Sequence, residues 1–379
     1  MALKKALWVV PVGNFGGVAR HVVDVATAGL PGYELVVLAP EGELADAVRR
    51  TGTRVIADSS FGVDAGFKSS YASLYNTVEE EQPDVVHTHL AYADIVGVAV
   101  ITALRLRTRI RRARLTVPQL ATTEHGIAQH TSVYNKNQAR GVVMRIAHSA
   151  RMLITPLKIA VSRSTAEQMK KQWGARKVTV VHNGVDAPLI QAGVERHRVQ
   201  PKQSGPRVLS LSRLAPEKGL TTLIDAFAQV RQEHPDASLE IAGSGELEHE
   251  LRARVERLKL SDSVRFSGFV DPLEAMGRND VVVQLSVWEN LSYTLLDAKA
   301  AGLGVVATDV GGNSEILDDA ELVSPLDSGQ QKDTEIAQAI VTATQHAHQP
   351  FNWQSVEEMT HQTAALYTQV LKKNTRGNV

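Results

Sequence analysis

Apolar and polar positions along the chain fall into two series of short apolar runs separated by longer segments of helical period. In the first half the runs are Leu7–Val10, Glu34–Leu38, Arg54–Ala57, Val85–His87, Gln119–Thr122, Ile159–Val161 and Val178–Val181. In the second they are Val208–Leu211, Ser238–Ala242, Val264–Phe266, Val281–Leu285 and Val305–Thr308. Runs of this length, dense in Val, Ile and Leu, predict strands covered on both faces, and segments such as Leu220–Glu233 and Glu246–Leu258 predict the helices that cover them. Strict alternation of the two kinds predicts an α/β fold with two Rossmann-like domains, each built on a doubly wound parallel sheet. The polar, aperiodic stretch from Pro188 to Pro206 predicts a linker centred on 191–204. The domains are then 1–190 and 205–350, followed by an amphipathic helix over about 356–379.

Residues that carry chemistry gather just after these strands. Asn14-Phe15-Gly16-Gly17 follows the first, His87-Thr88-His89 follows Asp84-Val85-Val86, and Thr123-Glu124-His125-Gly126 and His182-Asn183-Gly184-Val185-Asp186 follow later ones. The second series has Ser212-Arg213 through Glu217-Lys218, Gly243-Ser244-Gly245, Glu289 and Gly311-Gly312. Ligands of open α/β sheets bind beyond the carboxyl ends of the strands, so two such sheets facing each other would line one cleft with all of these groups. Glu289 and Asp297 bracket the start of a helix that stops at Ala301-Gly302. Helical rise sets the two acids about 12 Å apart, with an anion-favouring helix N-terminus between them. That suits an elongated ligand, polar at both ends and phosphorylated in the middle. A nucleotide-sugar has this layout.

Composition narrows the picture further. The chain's 379 residues, 43% of them hydrophobic, can fill two cores. The absence of cysteine excludes disulfides and thiolate chemistry and fits a cytoplasmic location. The Ala6–Val10 run behind Lys4 and Lys5 is broken by Pro11 and Asn14 and reads as a strand rather than a signal peptide, and Ala91 to Leu104, which contains Asp94, is too short to cross a bilayer. Net charge is zero, yet residues 1–190 hold 23 Lys and Arg against 15 Asp and Glu, and the remainder 18 against 26. Much of the basic excess is Arg105, Arg107, Arg109, Arg111, Arg112 and Arg114, interleaved with Leu104, Leu106, Ile110 and Leu115. This Arg105–Arg114 segment is either a peripheral contact for the inner face of a membrane or a solvated, packed edge, and both readings stay open. Scarce aromatics beside it argue against nucleic acid.

Two other chemistries are weaker. His87 and His89 have no third ligand at metal-site spacing, so no metal or other cofactor is expected. A nicotinamide enzyme would place Gly-x-Gly-x-x-Gly after the first strand, which Gly13-Asn14-Phe15-Gly16-Gly17 breaks.

Taken in order, Gly16-Gly17-Val18-Ala19-Arg20-His21, His87-Thr88-His89, Thr123-Glu124-His125-Gly126, Val161-Ser162-Arg163-Ser164, Asn183-Gly184-Val185-Asp186, Ser212-Arg213 to Lys218-Gly219, Gly243-Ser244-Gly245, the Glu289/Asp297 pair and Gly311-Gly312-Asn313-Ser314-Glu315 cover most of the chain. Together they resemble the retaining nucleotide-sugar glycosyltransferases of the GT-B fold, family 4-like and group 1, which include sucrose-synthase-like enzymes and phosphatidylinositol mannosyltransferases. The resemblance implies two Rossmann-like domains facing across a cleft, with the C-terminal helix packing back on the N-terminal one. It implies a hexosyltransferase moving a hexose from a nucleotide-diphosphate sugar, a UDP-sugar before a GDP-sugar, to a saccharide, lipid-linked or small-molecule hydroxyl in glycan assembly.

By that resemblance Arg213 and Lys218 hold the donor diphosphate, Glu289 contacts the hexose, the Leu291 and Ser292 amides reach phosphate, Asn290 and Gly243 line the donor, and Asp297 binds the ribose. His125 orients the sugar by hydrogen bonding, and Gly16 and Gly17 let backbone approach the ligand. Acceptor choice falls to loops around Ser59–Ser70 and Ile127–Arg151. The family usually has Glu where this chain has Asp297, Gly-Phe-Gly where it has Asn290-Leu291-Ser292, and Pro at Gly304. With no Asp-x-Asp in the chain, charge on the leaving diphosphate falls to Arg213, Lys218 and the helix dipole without a metal. The alternatives are a non-catalytic GT-B sugar-nucleotide-binding protein and a GT-B epimerase.

Overall fold

A computed structural model describes residues 3–111, 117–127, 138–199, 205–326, 330–345 and 351–376. In chain order the elements are β1 (Lys4–Val9), α1 (Gly17–Ala28), β2 (Tyr33–Ala39), α2 (Glu43–Arg50), β3 (Arg54–Ala57), α3 (Phe67–Glu81), β4 (Val85–His89), α4 (Ala91–Arg111), β5 (Gln119–Glu124), α5 (Gln138–Ile154), β6 (Leu157–Ala160), α6 (Arg163–Trp173) and β7 (Val178–Val180). The chain continues with α7 (Ala187–Arg196), β8 (Arg207–Leu211), α8 (Leu220–Glu233), β9 (Ser238–Ala242), α9 (Glu248–Arg257), β10 (Val264–Gly268), α10 (Pro272–Arg278), β11 (Val281–Gln284), α11 (Tyr293–Ala300), β12 (Gly304–Thr308), β13 (Leu322–Val323), α12 (Gln330–Ala343) and α13 (Val356–Arg376).

Two compact units result, Met1–Gly184 with Gln354–Val379, and Val185–Trp353. The first holds a seven-stranded sheet in the order β3-β2-β1-β4-β5-β6-β7, and the second a six-stranded sheet in the order β10-β9-β8-β11-β12-β13. Every ladder is parallel, which leaves both faces of each sheet to be covered by helices. The apolar runs account for this directly. Leu7, Trp8 and Val9 are fully buried, with Trp8 in the core against α1 and α13 and Leu7 and Val9 in the core on the opposite face against α3 and α4. A second core gathers Val208, Leu239, Ile241, Val281 and Val283 beneath α8 and α12. In each sheet the strand order reverses once, between β1 and β4 and between β8 and β11. Such reversals splay the following loops apart and open a crevice for ligands.

Three departures have physical causes. The segment expected as linker instead starts with α7, because Asp186 caps it, accepting from the Leu189 N–H at 3.0 Å, and Pro188 suits a first turn. Ile190 and Val194 then bury their side chains, Gln191 donates to the Ala300 carbonyl at 2.9 Å, and the helix packs on α10 and α11 as part of the second unit. The region 127–151 expected as an acceptor loop carries helix from Gln138 onward, and α3 already begins at Phe67 inside the 59–70 stretch. β13, two residues long, has no sequence signature of its own. The C-terminal helix packs on the first unit as implied, burying Met359, Ala364 and Tyr367 in the core with Trp8.

Candidate active site

In the second unit, the loops after β8, β11 and β12 meet at the strand-order reversal. Gly219, at φ 62°, lies so close to Leu285 that an added Cβ would sit 2.2 Å from its carbonyl oxygen. Gly311, at φ 61°, presses on the Glu289 carbonyl, where a Cβ would come within 1.8 Å. Backbone bonds tie the same loops, Val287 N–H to the Glu217 carbonyl at 2.8 Å and Gly312 N–H to the Asn290 carbonyl at 2.6 Å. Only glycine gives both the left-handed backbone and the close approach at 219 and 311.

Those loops fix Glu289. Its Oε2 accepts from Lys218 Nζ at 2.9 Å, Gln284 Nε2 at 3.0 Å and Ser286 Oγ at 3.2 Å, while Oε1 accepts from the Asn290 N–H at 3.2 Å. Gln284 is in turn held by Ser292, whose hydroxyl donates to its Oε1 at 2.7 Å. Lys218 and Glu289 are 18% and 15% exposed, so the pair is partly desolvated yet open to a ligand. Arg213 differs: at 70% exposed it reaches solvent, and it pairs with Glu217 at 2.6 Å. One is a compact cation locked to a carboxylate, the other an exposed guanidinium fork.

The α11 helix starts at Tyr293, between the two acids as expected, so the helical rise of about 1.5 Å per residue applies to only half of the Glu289–Asp297 spacing and the figure of about 12 Å does not hold. Ser292 is its cap, accepting from the Leu295 N–H at 3.4 Å, and Asp297 lies within the helix at 4% exposure. Leu291 is a buried side chain at the loop's end. Gly243 has a structural duty, since at φ 132° its Cβ position falls 1.9 Å from the Ser212 carbonyl, stitching the β9 loop onto the β8 loop.

In the first unit the reversal brings together histidines. His21 comes from the core face of α1, His89 from the end of β4 and His125 from just past β5, at 5%, 0% and 9% exposure. The apolar run expected to end at His87 continues as β4 to His89, and both histidines are buried in it. His87 is fully used: its Nδ1 meets the Tyr367 hydroxyl, which accepts from Trp8 Nε1 at 2.9 Å, and its Nε2 bonds Thr123 Oγ1 at 2.8 Å. Burial, followed by the neighbouring His21 and His87 rings, holds His125 well below the usual imidazole range, and burial takes His21 down to about 4 despite its bond to Asn183. These rings are neutral at pH 7. His125 is therefore a hydrogen-bonding group; its Nε2 lies 2.9 Å from His89 Nδ1.

The residue beside it belongs to a buried ion cluster that motif reading missed. Glu124 bonds Arg151 at 2.8 Å, Arg151 also pairs with Asp94, and Asp94 accepts from Thr122 at 2.8 Å. One guanidinium serves two carboxylates. Burial pushes Glu124 up to about 8, against the Gly126 N–H that favours its charge, and pushes Arg151 down to about 9. The signal was present as a Glu next to His125 and an Arg late in α5, but only the fold places them together. Gly16 caps α1 at φ −162°, an extended conformation open to any residue, and a Cβ there would meet nothing within 4 Å; Gly17 opens the helix.

Comparison with known proteins resolves the class. The glycosyltransferase family 4 model matches residues 15–188 and the glycosyl transferases group 1 model matches residues 194–343, one on each unit. The chain belongs to the glycosyltransferases of the GT-B fold. Glycogen synthase of Mycobacterium tuberculosis is 25% identical over 96% of this glycosyltransferase and 94% of its own length. An Escherichia coli UDP-Gal:alpha-D-GlcNAc-diphosphoundecaprenol alpha-1,3-galactosyltransferase is 25% identical over 65% of this chain and 62% of its own. Among solved structures, Anabaena HepE in complex with UDP has a TM-score of 0.72 at 21% identity, covering 98% of this chain and 100% of that one.

Proposed function

We propose that this glycosyltransferase uses a nucleoside-diphosphate sugar, a UDP-hexose before a GDP-hexose, bound at the β8/β11 reversal of the second unit. The observation that carries the proposal is the Lys218–Glu289 pair, held by Gln284, Ser286 and Asn290 and only partly exposed. Lys218 offers a cation to the diphosphate, Arg213 a flexible fork, and Glu289, locked by its donors, an acceptor for hexose hydroxyls. Asp297 is assigned to the ribose, Gly16 and Gly17 to close backbone approach, and His125 to the sugar as a neutral hydrogen-bonding group. HepE crystallised with UDP and the UDP-galactose relative support the choice of base.

Transfer is assigned retention of anomeric configuration. The bond from anomeric carbon to phosphate oxygen breaks, the acceptor oxygen bonds that carbon on the same face, and the acceptor proton passes to the departing diphosphate. Positive charge from Lys218 and Arg213 stabilises the leaving group without a divalent clamp, the chain having no Asp-x-Asp. The acceptor is a saccharide hydroxyl, and the E. coli relative's substrate makes a lipid-linked one the first to try.

Of the basic run, Arg107 is taken up by Glu79 and Tyr75, while Arg112 and Arg114 lie outside the described residues. Leu106 and Ile110, 57% and 71% exposed, remain on α4 beside Arg105 and Arg109 as the face for peripheral lipid contact. Among the described residues no helix is long and apolar enough to cross a membrane.

A thermal-shift panel of UDP, GDP, ADP and their sugars tests the donor. Saturating ligand at about 100 times its Kd stabilises by about 2.7 kcal/mol. A UDP compound should give the largest shift, reduced in Lys218→Ala; a shift for none, or one indifferent to that substitution, removes the proposal. Pelleting with anionic vesicles tests the lipid face, and equal pelleting by Leu106→Ser/Ile110→Ser and wild type removes it.

A further inference from the structure

The first unit holds a histidine cluster with more coordinating capacity than its hydrogen bonds use. His21, His89 and His125 each place one ring nitrogen within 4.8 Å of the other two, all three side chains being buried. His21 Nδ1 bonds Asn183 Oδ1 at 3.2 Å. An amide oxygen only accepts, so Nδ1 carries the proton and Nε2 is left as a lone pair. That is the outer-shell arrangement by which a neighbouring carbonyl fixes the tautomer of a metal-binding histidine.

His89 supplies the second observation. Its Nδ1 shares one hydrogen bond with His125 Nε2, and its Nε2 is buried with no hydrogen-bond partner. Whichever ring donates in the shared bond, one polar nitrogen of His89 is left unsatisfied in the core, at a cost of about 1–3 kcal/mol. Native structures seldom leave such a group without a reason. If His89 donates to His125, its Nε2 is a buried lone pair facing no donor, with the His21 ring beside it offering a second acceptor, an arrangement that suits a cation.

We propose that His21, His89 and His125 form a binding site for one divalent transition-metal ion of the zinc class. On binding, His89 and His125 give up their shared hydrogen bond so that each ring offers one lone pair to the ion. Three neutral imidazoles with no carboxylate are a known zinc ligand set, with a fourth position left for water or a ligand oxygen. Zinc–nitrogen bonds of about 2.0–2.1 Å put tetrahedral ligand nitrogens about 3.3 Å apart, so the rings close inward by about 1.5 Å at most on binding. Trp8 lies against the cluster, its ring centroid 5.6 Å from His21 and 4.4 Å from His89, giving the site an apolar wall. All three ligands belong to the first unit. Because His125 is also the group assigned to the sugar, the bound ion competes with that role and inhibits transfer, a consequence that rests on the proposed function although the metal site itself does not.

Titration of the full-length, chelator-treated protein with Co²⁺, followed by visible absorption, tests this. One equivalent should bind, give the d–d absorption of a nitrogen-ligated ion, and be displaced by Zn²⁺. His21→Ala and His89→Ala should each abolish the signal, Asn183→Ala should weaken binding about 10–100-fold, and His249→Ala, exposed on α9, should change nothing. Circular dichroism of each metal-free variant checks that it folds. No absorption from wild type at equimolar Co²⁺, or the same absorption from His21→Ala and His89→Ala, overturns the site. Stoichiometric binding with an unchanged transfer rate overturns the competition for His125 and leaves the site standing.

Discussion

At the β8/β11 reversal of the second unit the side chains are charged and partly open to solvent, whereas at the β1/β4 reversal of the first they are neutral imidazoles closed off from it. The same parallel topology therefore offers two kinds of chemistry. Charge placed where a ligand can reach it, as in Lys218 and Glu289, suits recognition of a polyanion. Charge placed beneath the site, as in Asp94, Arg151 and Glu124, serves to fix the strand end from which His125 projects. Buried carboxylates sharpen the contrast. Glu240 on β9 is raised by burial but held down to about 2 by hydrogen bonds from Arg278, Ser267, Asn279 and Arg265. Glu124 has half a guanidinium and rises to about 8.

The largest effect is expected at Lys218. If Lys218 is the leaving-group cation proposed above, Lys218→Ala, which also leaves Glu289 without its charge partner, should lower turnover about 10³-fold, near 4 kcal/mol, in an initial-rate assay. A loss under tenfold would make the second unit's charges structural, like those of the first. Arg151→Ala strands the buried Asp94 carboxylate and removes Glu124's partner, and should cost about 3–5 kcal/mol in denaturant unfolding, far more than a surface arginine. A cost below 1 kcal/mol would mean that water reaches the cluster.

The two buried glutamates should contribute pH dependences of opposite sign. Glu240 has a folded pKa below its unfolded value, so its contribution, about 3 kcal/mol, is present above about pH 4.5 and lost as pH falls toward 2. Glu124 has a folded pKa above its unfolded value, so its contribution is present below about pH 4.5 and is lost as pH rises through 8. Unfolding against pH should lose its acid slope in Glu240→Gln and its alkaline slope in Glu124→Gln.

Smaller effects probe the loops. Gly311→Ala combines a left-handed backbone with a clash at the Glu289 carbonyl and should cost about 1–3 kcal/mol, with activity falling in step. Asp297→Glu adds one methylene in a closed site and should lower stability by about 1–3 kcal/mol in denaturant unfolding, while the donor KM changes less than about tenfold, under about 1.4 kcal/mol.

Much of this was legible from the chain. Val, Ile and Leu runs located twelve of the thirteen strands because a strand covered on both faces needs them, and β13 was missed because two residues carry no pattern. Motif order singled out Glu289, Lys218 and Arg213 but not the clamp on Glu289, since Gln284 and Ser286 read as ordinary strand-end residues. α7 was misread because polar Gln191 and Gly193 masked an apolar face completed by Ile190 and Val194. The histidine cluster was invisible to spacing. Its three members lie on different elements, and only the β1-β4-β5 strand order, with β4 returning beside β1, draws them together.

The central claim is that donor diphosphate binds at the charged reversal of the second unit. Isothermal titration of UDP into wild-type, Lys218→Ala and Arg151→Met proteins tests it most directly. The account predicts that Lys218→Ala weakens binding about tenfold or more, 1.4 kcal/mol, while folded Arg151→Met binds as wild type does. Unchanged affinity in Lys218→Ala would contradict it.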